Sequence, residues 1–196
     1  MRRDLVSSTL AVLVFTLLLG VVYPLATTGI AQVLFPGKAD GSRLERNGEV
    51  VGSRLIGQDF HGDRRWFQGR PSVTGYDPSV TFFNNLGPNN RELARMFRAN
   101  LRRYIARERP YNPGLDPADV PVDAVTTTAS GVDPHISQAN ARLQARRIAA
   151  VRGLPLPRVL ELVENHTDDR DLGVLGEPGV NVLELNLAVD EEAPAR

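Results

Sequence analysis

Residues 130 to 137, Ser-Gly-Val-Asp-Pro-His-Ile-Ser, gather two serines, an aspartate and one of the chain's three histidines. A serine nucleophile needs a base within hydrogen-bond reach and a carboxylate that orients the base. Ser130, His135 and Asp133 supply those types, so a membrane-anchored extracytoplasmic hydrolase is one reading of the chain. The same residues also suit a strand-to-helix junction. Asp133 is a favourable N-cap, Pro134 fits a first helical position, and Gly131 permits a tight backbone approach. Triad members usually come from separate segments, and the sequence has no Gly-x-Ser-x-Gly elbow. The junction is therefore the preferred reading, with no reaction assigned to the segment.

The other reactive types are sparse. His61 lies in Asp-Phe-His-Gly-Asp and His166 in Glu-Asn-His-Thr-Asp-Asp, neither with a two-ligand metal spacing. His166 follows a predicted helix, where the carbonyl end favours an imidazolium. The absence of cysteine excludes a disulfide framework, a thiolate zinc site and a cysteine nucleophile. No Walker-type or dinucleotide-binding glycine pattern occurs. Basic and acidic residues balance at 23 each, so no global field points to nucleic acid. The charge that does concentrate is local. Residues 91 to 109 hold seven arginines against two glutamates. Such a face binds an anionic partner or lipid, or covers the core with arginine stems.

These residues must be carried by elements that the pattern partly reveals. Leu5 to Tyr23 is a run of 19 residues without charge, preceded by Arg2, Arg3 and Asp4. About 20 apolar residues span a bilayer's hydrocarbon core. Its length favours a retained anchor over a cleaved signal peptide. The two arginines place the amino terminus in the cytoplasm and the rest of the chain outside. The resulting division is a tail (1–4), a transmembrane helix (5–23), a juxtamembrane segment (24–37) and an extracytoplasmic domain (38–196). Leu5, Leu10, Leu13, Phe15, Leu17, Leu18, Tyr23 and Pro24 are the expected packing residues of the span.

Turn signals dominate residues 38 to 90, with short apolar pieces at Val50-Val51, Leu55-Ile56 and Trp66-Phe67 that read as strands. A helix is predicted from Asn89 or Asn90, with Leu93, Phe97, Leu101, Tyr104 and Ile105 on its apolar face. Val122 to Ala129 reads as β-prone. Helices follow to about Val151 and over Arg158–Asn165, the latter opened by Pro157. Leu183, Leu185, Leu187 and Val189 alternate with Glu184 and Asn186, which predicts a half-buried strand. Mixed short elements without a βαβ rhythm indicate an α+β extracytoplasmic domain behind one N-terminal transmembrane helix.

Seven segments in order carry a family resemblance: Tyr23–Ser42, Gly52–Phe60, Trp66–Ser72, Asn85–Asn90, Val122–Ser137, Arg152–Thr167 and Leu172–Asp190. Together they resemble the C subunit of the Kdp potassium-transporting P-type ATPase, the KdpC family. The resemblance implies a non-catalytic accessory subunit of an ATP-driven potassium uptake pump in the bacterial inner membrane. It implies partners: a KdpA-like channel subunit, a KdpB-like P-type ATPase subunit, a KdpF-like small subunit and the lipid bilayer. Roles in assembly, stabilisation and ATP binding by the catalytic subunit follow from the same resemblance. ATP, magnesium and potassium would then act at the level of the complex, with no cofactor held by this chain. Within the matching segments, Gly57, Gln58, Phe60, Phe67, Gly69, Arg70, Pro71, Ser72, Ser130, Gly131, Asp133, Pro134 and His135 are candidate subunit-contact or motif residues.

Overall fold

An uncharged apolar run satisfies its own backbone by forming a helix. The computed structural model of the chain describes residues 1–80, 82 and 85–193. Thr81, Phe83, Asn84 and 194–196, which the sequence assigns to the external domain, lie outside the described residues. Helix α1 (Arg2–Leu17), a π-helical turn (Leu18–Val22) and α2 (Tyr23–Leu34) run on as one helix of 33 residues. It is long and apolar enough to cross a membrane, and its most apolar window has no buried residue. Ser8 and Thr9 donate their hydroxyls to the Asp4 and Leu5 carbonyls at 2.7 and 2.8 Å, which reconciles them with an apolar setting. The helix continues beyond Tyr23, where the predicted span ends. Pro24 has no amide hydrogen to give a carbonyl four residues back. The chain adjusts just before it, and the Tyr23 amide reaches five residues back to the Leu18 carbonyl.

Two compact units divide the chain, Met1–Ser53 and Arg54–Arg196. After the long helix, the first contains the short helix α3 (Pro36–Ala39) and an antiparallel hairpin of β1 (Arg43–Arg46) and β2 (Glu49–Ser53). Asn47 and Gly48 turn the hairpin with φ of 53° and 82°, as a two-residue type I′ turn requires. The strand expected at Val50-Val51 is present, within β2.

The second unit contains α4 (Arg91–Glu108), 3₁₀ turns at Pro117–Asp119 and Val122–Ala124, β3 (His135–Ile136), α5 (Gln138–Arg152), α6 (Leu156–Asn165), β4 (Thr167–Asp168), β5 (Gly179–Asn181) and α7 (Val182–Glu192). Its small antiparallel sheet has the order β3-β5-β4, with Ile136 opposite Val180 and Thr167 opposite Val180. Ile136 and Val180 pack on Ala141, Ala145 and Ile148 of α5, which recur at helical spacing, and on Val159, Val163, Leu185 and Val189. The result is a mixed α+β architecture with one long apolar N-terminal helix.

Four expectations need correction. The alternating segment after Asn181 is helix α7, not a strand. Val182, Leu185 and Val189 also satisfy a helical face, and Asn181 caps the first turn by accepting the Glu184 amide at 3.2 Å. Val122–Ala129 forms a 3₁₀ turn and irregular chain instead of a strand. Leu55-Ile56 and Trp66-Phe67 lie in irregular chain as well. Finally, α4 buries Asn100, Tyr104 and Glu108, spaced four apart, and leaves Leu93, Phe97, Leu101 and Ile105 half-buried.

Candidate functional site

An irregular segment crosses the middle of the second unit, and side chains replace the strand neighbours its backbone lacks. Phe67 is wholly buried. Its amide donates to Asn186 Oδ1 at 2.8 Å and its carbonyl accepts Asn186 Nδ2 at 2.9 Å. The Gln68 amide donates to Gln144 Oε1 at 2.8 Å, and Gln144 Nε2 returns to the Gln68 carbonyl at 3.1 Å. Arg147 donates to the Arg64 and Trp66 carbonyls. Buried backbone groups must find partners, and α5 and α7 supply them. The network runs on from Gln144 to Asn140 Oδ1, which also accepts the Tyr104 hydroxyl at 3.0 Å.

This thread presents the motif residues to one another. Arg70 Nη1 donates to Asp133 Oδ2 at 3.1 Å, and its Nη2 reaches the Thr126 hydroxyl and the Thr127 carbonyl. The Ser72 hydroxyl donates to the Gly131 carbonyl at 2.7 Å, and the Gly57 amide to the Val132 carbonyl at 2.8 Å. The Thr128 amide donates to the Pro71 carbonyl at 3.0 Å. Three segments far apart in sequence are thereby tied together around Tyr76, whose hydroxyl donates to the Arg70 carbonyl. Glycine is required at the closest approaches. A Cβ on Gly57 would lie 2.5 Å from the Asp133 carbonyl oxygen, and one on Gly69 would lie 2.3 Å from the Tyr76 hydroxyl.

A cavity of ≈ 590 Å³ opens beside this cluster, lined among others by Gln58, Phe60, Arg70, Ser72, Arg103 and Arg107. Behind it Glu108, fully buried, pairs with both Arg147 and Arg107. Two guanidinium groups and one carboxylate leave this triad with a net positive charge. Burial lowers the pKa of Arg147, opposed by the Glu108 carboxylate. Burial raises the Tyr76 and Tyr104 phenols far above their ordinary value.

The Ser130, Asp133 and His135 side chains are not assembled as a relay. The Ser130 hydroxyl meets Thr128 Oγ1 at 3.2 Å and accepts the Val132 amide. The His135 ring meets Asp168 through Nε2 at 3.1 Å, with Asp133 Oδ1 at 4.0 Å from Nδ1. Asp133 accepts the His135 amide at 3.0 Å but does not cap a helix. Helix α5 starts later, at Gln138, with Ser137 as its N-cap. Asp123 holds that Ser137 through both its amide and its hydroxyl at 2.8 Å. Pro134 gives its carbonyl to the Val182 amide at 3.0 Å. His166 does lie at the carbonyl end of α6, its Nδ1 2.8 Å from the Leu162 oxygen. His61 pairs with Asp59 at 3.1 Å. Among the described residues, no three His, Asp or Glu side chains gather where they could hold a metal ion.

The clustering of the motif segments agrees with a comparison along the whole sequence. Residues 5–191 match the family model described as KdpC, K+-transporting ATPase, c chain. The chain belongs to the KdpC family. It is 50% identical to the potassium-transporting ATPase KdpC subunit of Rhodospirillum rubrum, over 99% of this chain and 98% of that protein. The KdpC subunit of Mycobacterium tuberculosis is 48% identical, over 97% of this chain and 99% of its own length. That of Koribacter versatilis is 44% identical, over 99% and 97%. As a KdpC subunit the chain is part of a potassium-transporting ATPase complex. Sequence reasoning found the KdpC motifs but missed Tyr76, Glu108, Asn140, Gln144, Arg147 and Asn186, on which their geometry depends. Glu108 on α4 and Asn140, Gln144 and Arg147 on α5 are polar residues inside helices, which ordinarily read as surface. Asn186 is expected on the polar side of a strand, and Tyr76 lies in irregular chain. The available signal was the run of amides on α5.

Proposed function

We propose that the chain is a non-catalytic accessory subunit that assembles and stabilises an ATP-driven potassium uptake pump. The observation that carries this reading is the 33-residue helix Arg2–Leu34, whose most apolar window has no buried residue. Leu5, Leu10, Leu13, Phe15, Leu17, Leu18 and Tyr23 stand exposed along it. Apolar surface on that scale requires lipid or the helices of other subunits. Arg2 and Arg3 set the amino terminus in the cytoplasm, which directs the second unit to the outside of the bacterial inner membrane.

On that outer side, the second unit docks on the channel-like subunit through the face built by Gln58, Phe60, Arg70, Pro71 and Ser72. Arg70 and Asp133 fix the shape of that face, since their pairing joins two of the motif segments. Support for ATP binding by the catalytic subunit is then indirect, through the packing of the spanning helix and the integrity of the assembly. The ATPase and channel-like subunits supply the ATP, magnesium and potassium chemistry.

The test is co-purification from mild detergent with a carboxy-terminal tag. Stoichiometric P-type ATPase and channel-like subunits are expected, with potassium-stimulated ATPase activity that disappears when the chain is deleted. Recovery of the intact chain alone, from membranes that contain those subunits, would overturn the reading.

A further inference from the structure

Helix α4 has two surfaces, and the fold uses one. Asn100, Tyr104 and Glu108 face inward. Arg91, Arg95, Arg98, Arg102 and Arg109 follow at spacings of four, three, four and seven residues, which sets them on one stripe of the helix. Among the described residues none of these five enters an ion pair, whereas Arg107 on the other flank pairs with Glu108. Arg109 donates to the Leu115 carbonyl at 3.1 Å, which sets its guanidinium near the end of the helix. Beside the stripe, Leu101 and Ile105 are only half-buried. With Arg102, Arg109 and Pro117 they line an open groove of ≈ 750 Å³.

Guanidinium groups bordering an apolar groove match an anionic phospholipid. The phosphate meets the cations and the acyl boundary meets the apolar strip. A solvated arginine face would explain the charges and not the groove. The chain also carries a helix able to cross a membrane, so the second unit is covalently confined to the neighbourhood of a bilayer, at high effective concentration. We infer that the outer face of α4, centred on Arg98, Arg102, Leu101 and Ile105, binds anionic phospholipid of the membrane in which the chain is anchored. This rests on the membrane anchorage proposed above and is independent of which subunits the chain joins.

The chain has no cysteine, so Ile105→Cys accepts a single environment-sensitive fluorophore. Leu101→Cys provides a second site should the first disturb packing. The labelled full chain is reconstituted in vesicles carrying brominated phosphatidylglycerol or brominated phosphatidylcholine. Retention of the chain through alkaline extraction reports the anchor separately. Quenching by the anionic lipid is expected, with loss at 1 M salt, where the Debye length falls to about 3 Å. Arg98→Gln with Arg102→Gln should weaken the contact at least tenfold, since each basic residue near an anionic surface contributes about fivefold. Thermal unfolding of that variant should match the parent, because both side chains are exposed.

Three results would each overturn the inference. The first is absence of quenching in a retained chain. The second is equal quenching by neutral lipid that ignores the arginine changes. The third is loss of quenching once the ATPase and channel-like subunits are reconstituted alongside, which would assign the face to an acidic protein partner.

Discussion

Arg147 and Glu108 meet in the interior of the second unit with both side chains wholly withdrawn from solvent, Nε lying 3.0 and 3.1 Å from the two carboxylate oxygens. The pair joins α5 to α4. Because Arg147 also donates to the Arg64 and Trp66 carbonyls, it fixes the segment that carries the Trp66–Ser72 motif. An ion pair without water is costly to assemble and more costly to break, since a lone partner keeps its desolvation penalty.

Glu108→Gln should therefore destabilise the second unit by about 3–5 kcal/mol, the range for removing one partner of a buried pair. It leaves the Arg107 and Arg147 guanidinium groups near each other without a counter-charge. Combining Glu108→Leu with Arg147→Met should recover part of that loss. Recovery is incomplete because the Arg64 carbonyl loses its donor and the Trp66 carbonyl keeps only Gln68 Nε2. Denaturant unfolding of the full chain in detergent measures both. A Glu108→Gln midpoint equal to the parent's would show that the pair does not organise the unit.

Gly69→Ala tests the closest approach in the motif cluster. The new methyl would lie 2.3 Å from the Tyr76 hydroxyl and 3.3 Å from Cζ. The phenol is largely buried and must give up its bond to the Arg70 carbonyl to make room. A cost of roughly 1–3 kcal/mol is expected from overpacking. Tyr76→Phe removes the clashing oxygen, so Gly69→Ala in that background should cost less than in the parent. A double-mutant cycle with zero coupling would exclude the contact as the cause.

Asn186 offers the sharpest test of the side-chain-supported thread. Asn186→Leu keeps the size of the side chain but leaves the Phe67 amide and carbonyl without partners. Each buried unsatisfied group costs about 1–3 kcal/mol, so the substitution should cost roughly 2–5 kcal/mol. Hydrogen exchange at the Phe67 amide should accelerate more than in the α5 helix. Uniform acceleration throughout the unit would instead mark a global loss of stability without a local role for Asn186.

The amide-rich character of that interior explains what the sequence reveals and what it conceals. The long apolar N-terminal helix and the presence of α4, α5 and α6 are legible in local pattern. The start of α4 is legible in its cap, Asn90 accepting the Glu92 amide at 2.8 Å. The start of α5 is not, since Ser137 caps it where Asp133 is the expected cap. The last element is not. Leu183, Leu185, Leu187 and Val189 alternate as a strand does, but Asn186 and Asp190 belong inside, and a polar residue at a core position defeats a hydrophobic-periodicity reading. The same limit hides the inward face of α4, which is Asn100, Tyr104 and Glu108, although the helix itself is legible. The motif residues of the candidate site were legible as segments. Their meeting was not, because it depends on contacts such as Arg70 with Asp133, 63 residues apart.

The buried phenols give a prediction with a definite sign in pH. Desolvation raises the pKa of both Tyr76 and Tyr104, with Glu108 adding to the effect at Tyr104. A group whose folded pKa is raised binds its proton more tightly in the folded chain than in the unfolded one. Its contribution is present in full below the unfolded value of about 10 and declines as pH rises above it. The second unit should accordingly lose stability steeply above about pH 10. Tyrosinate absorbance from these two phenols should appear together with the unfolding signal in circular dichroism. In Tyr76→Phe and in Tyr104→Phe, the alkaline slope of stability should be shallower than in the parent, because one proton fewer is linked to unfolding. Ionisation of both phenols in a chain that remains folded would show that their burial is not maintained, and the network linking Tyr104 to Asn140 and Tyr76 to Arg70 would have to be redrawn.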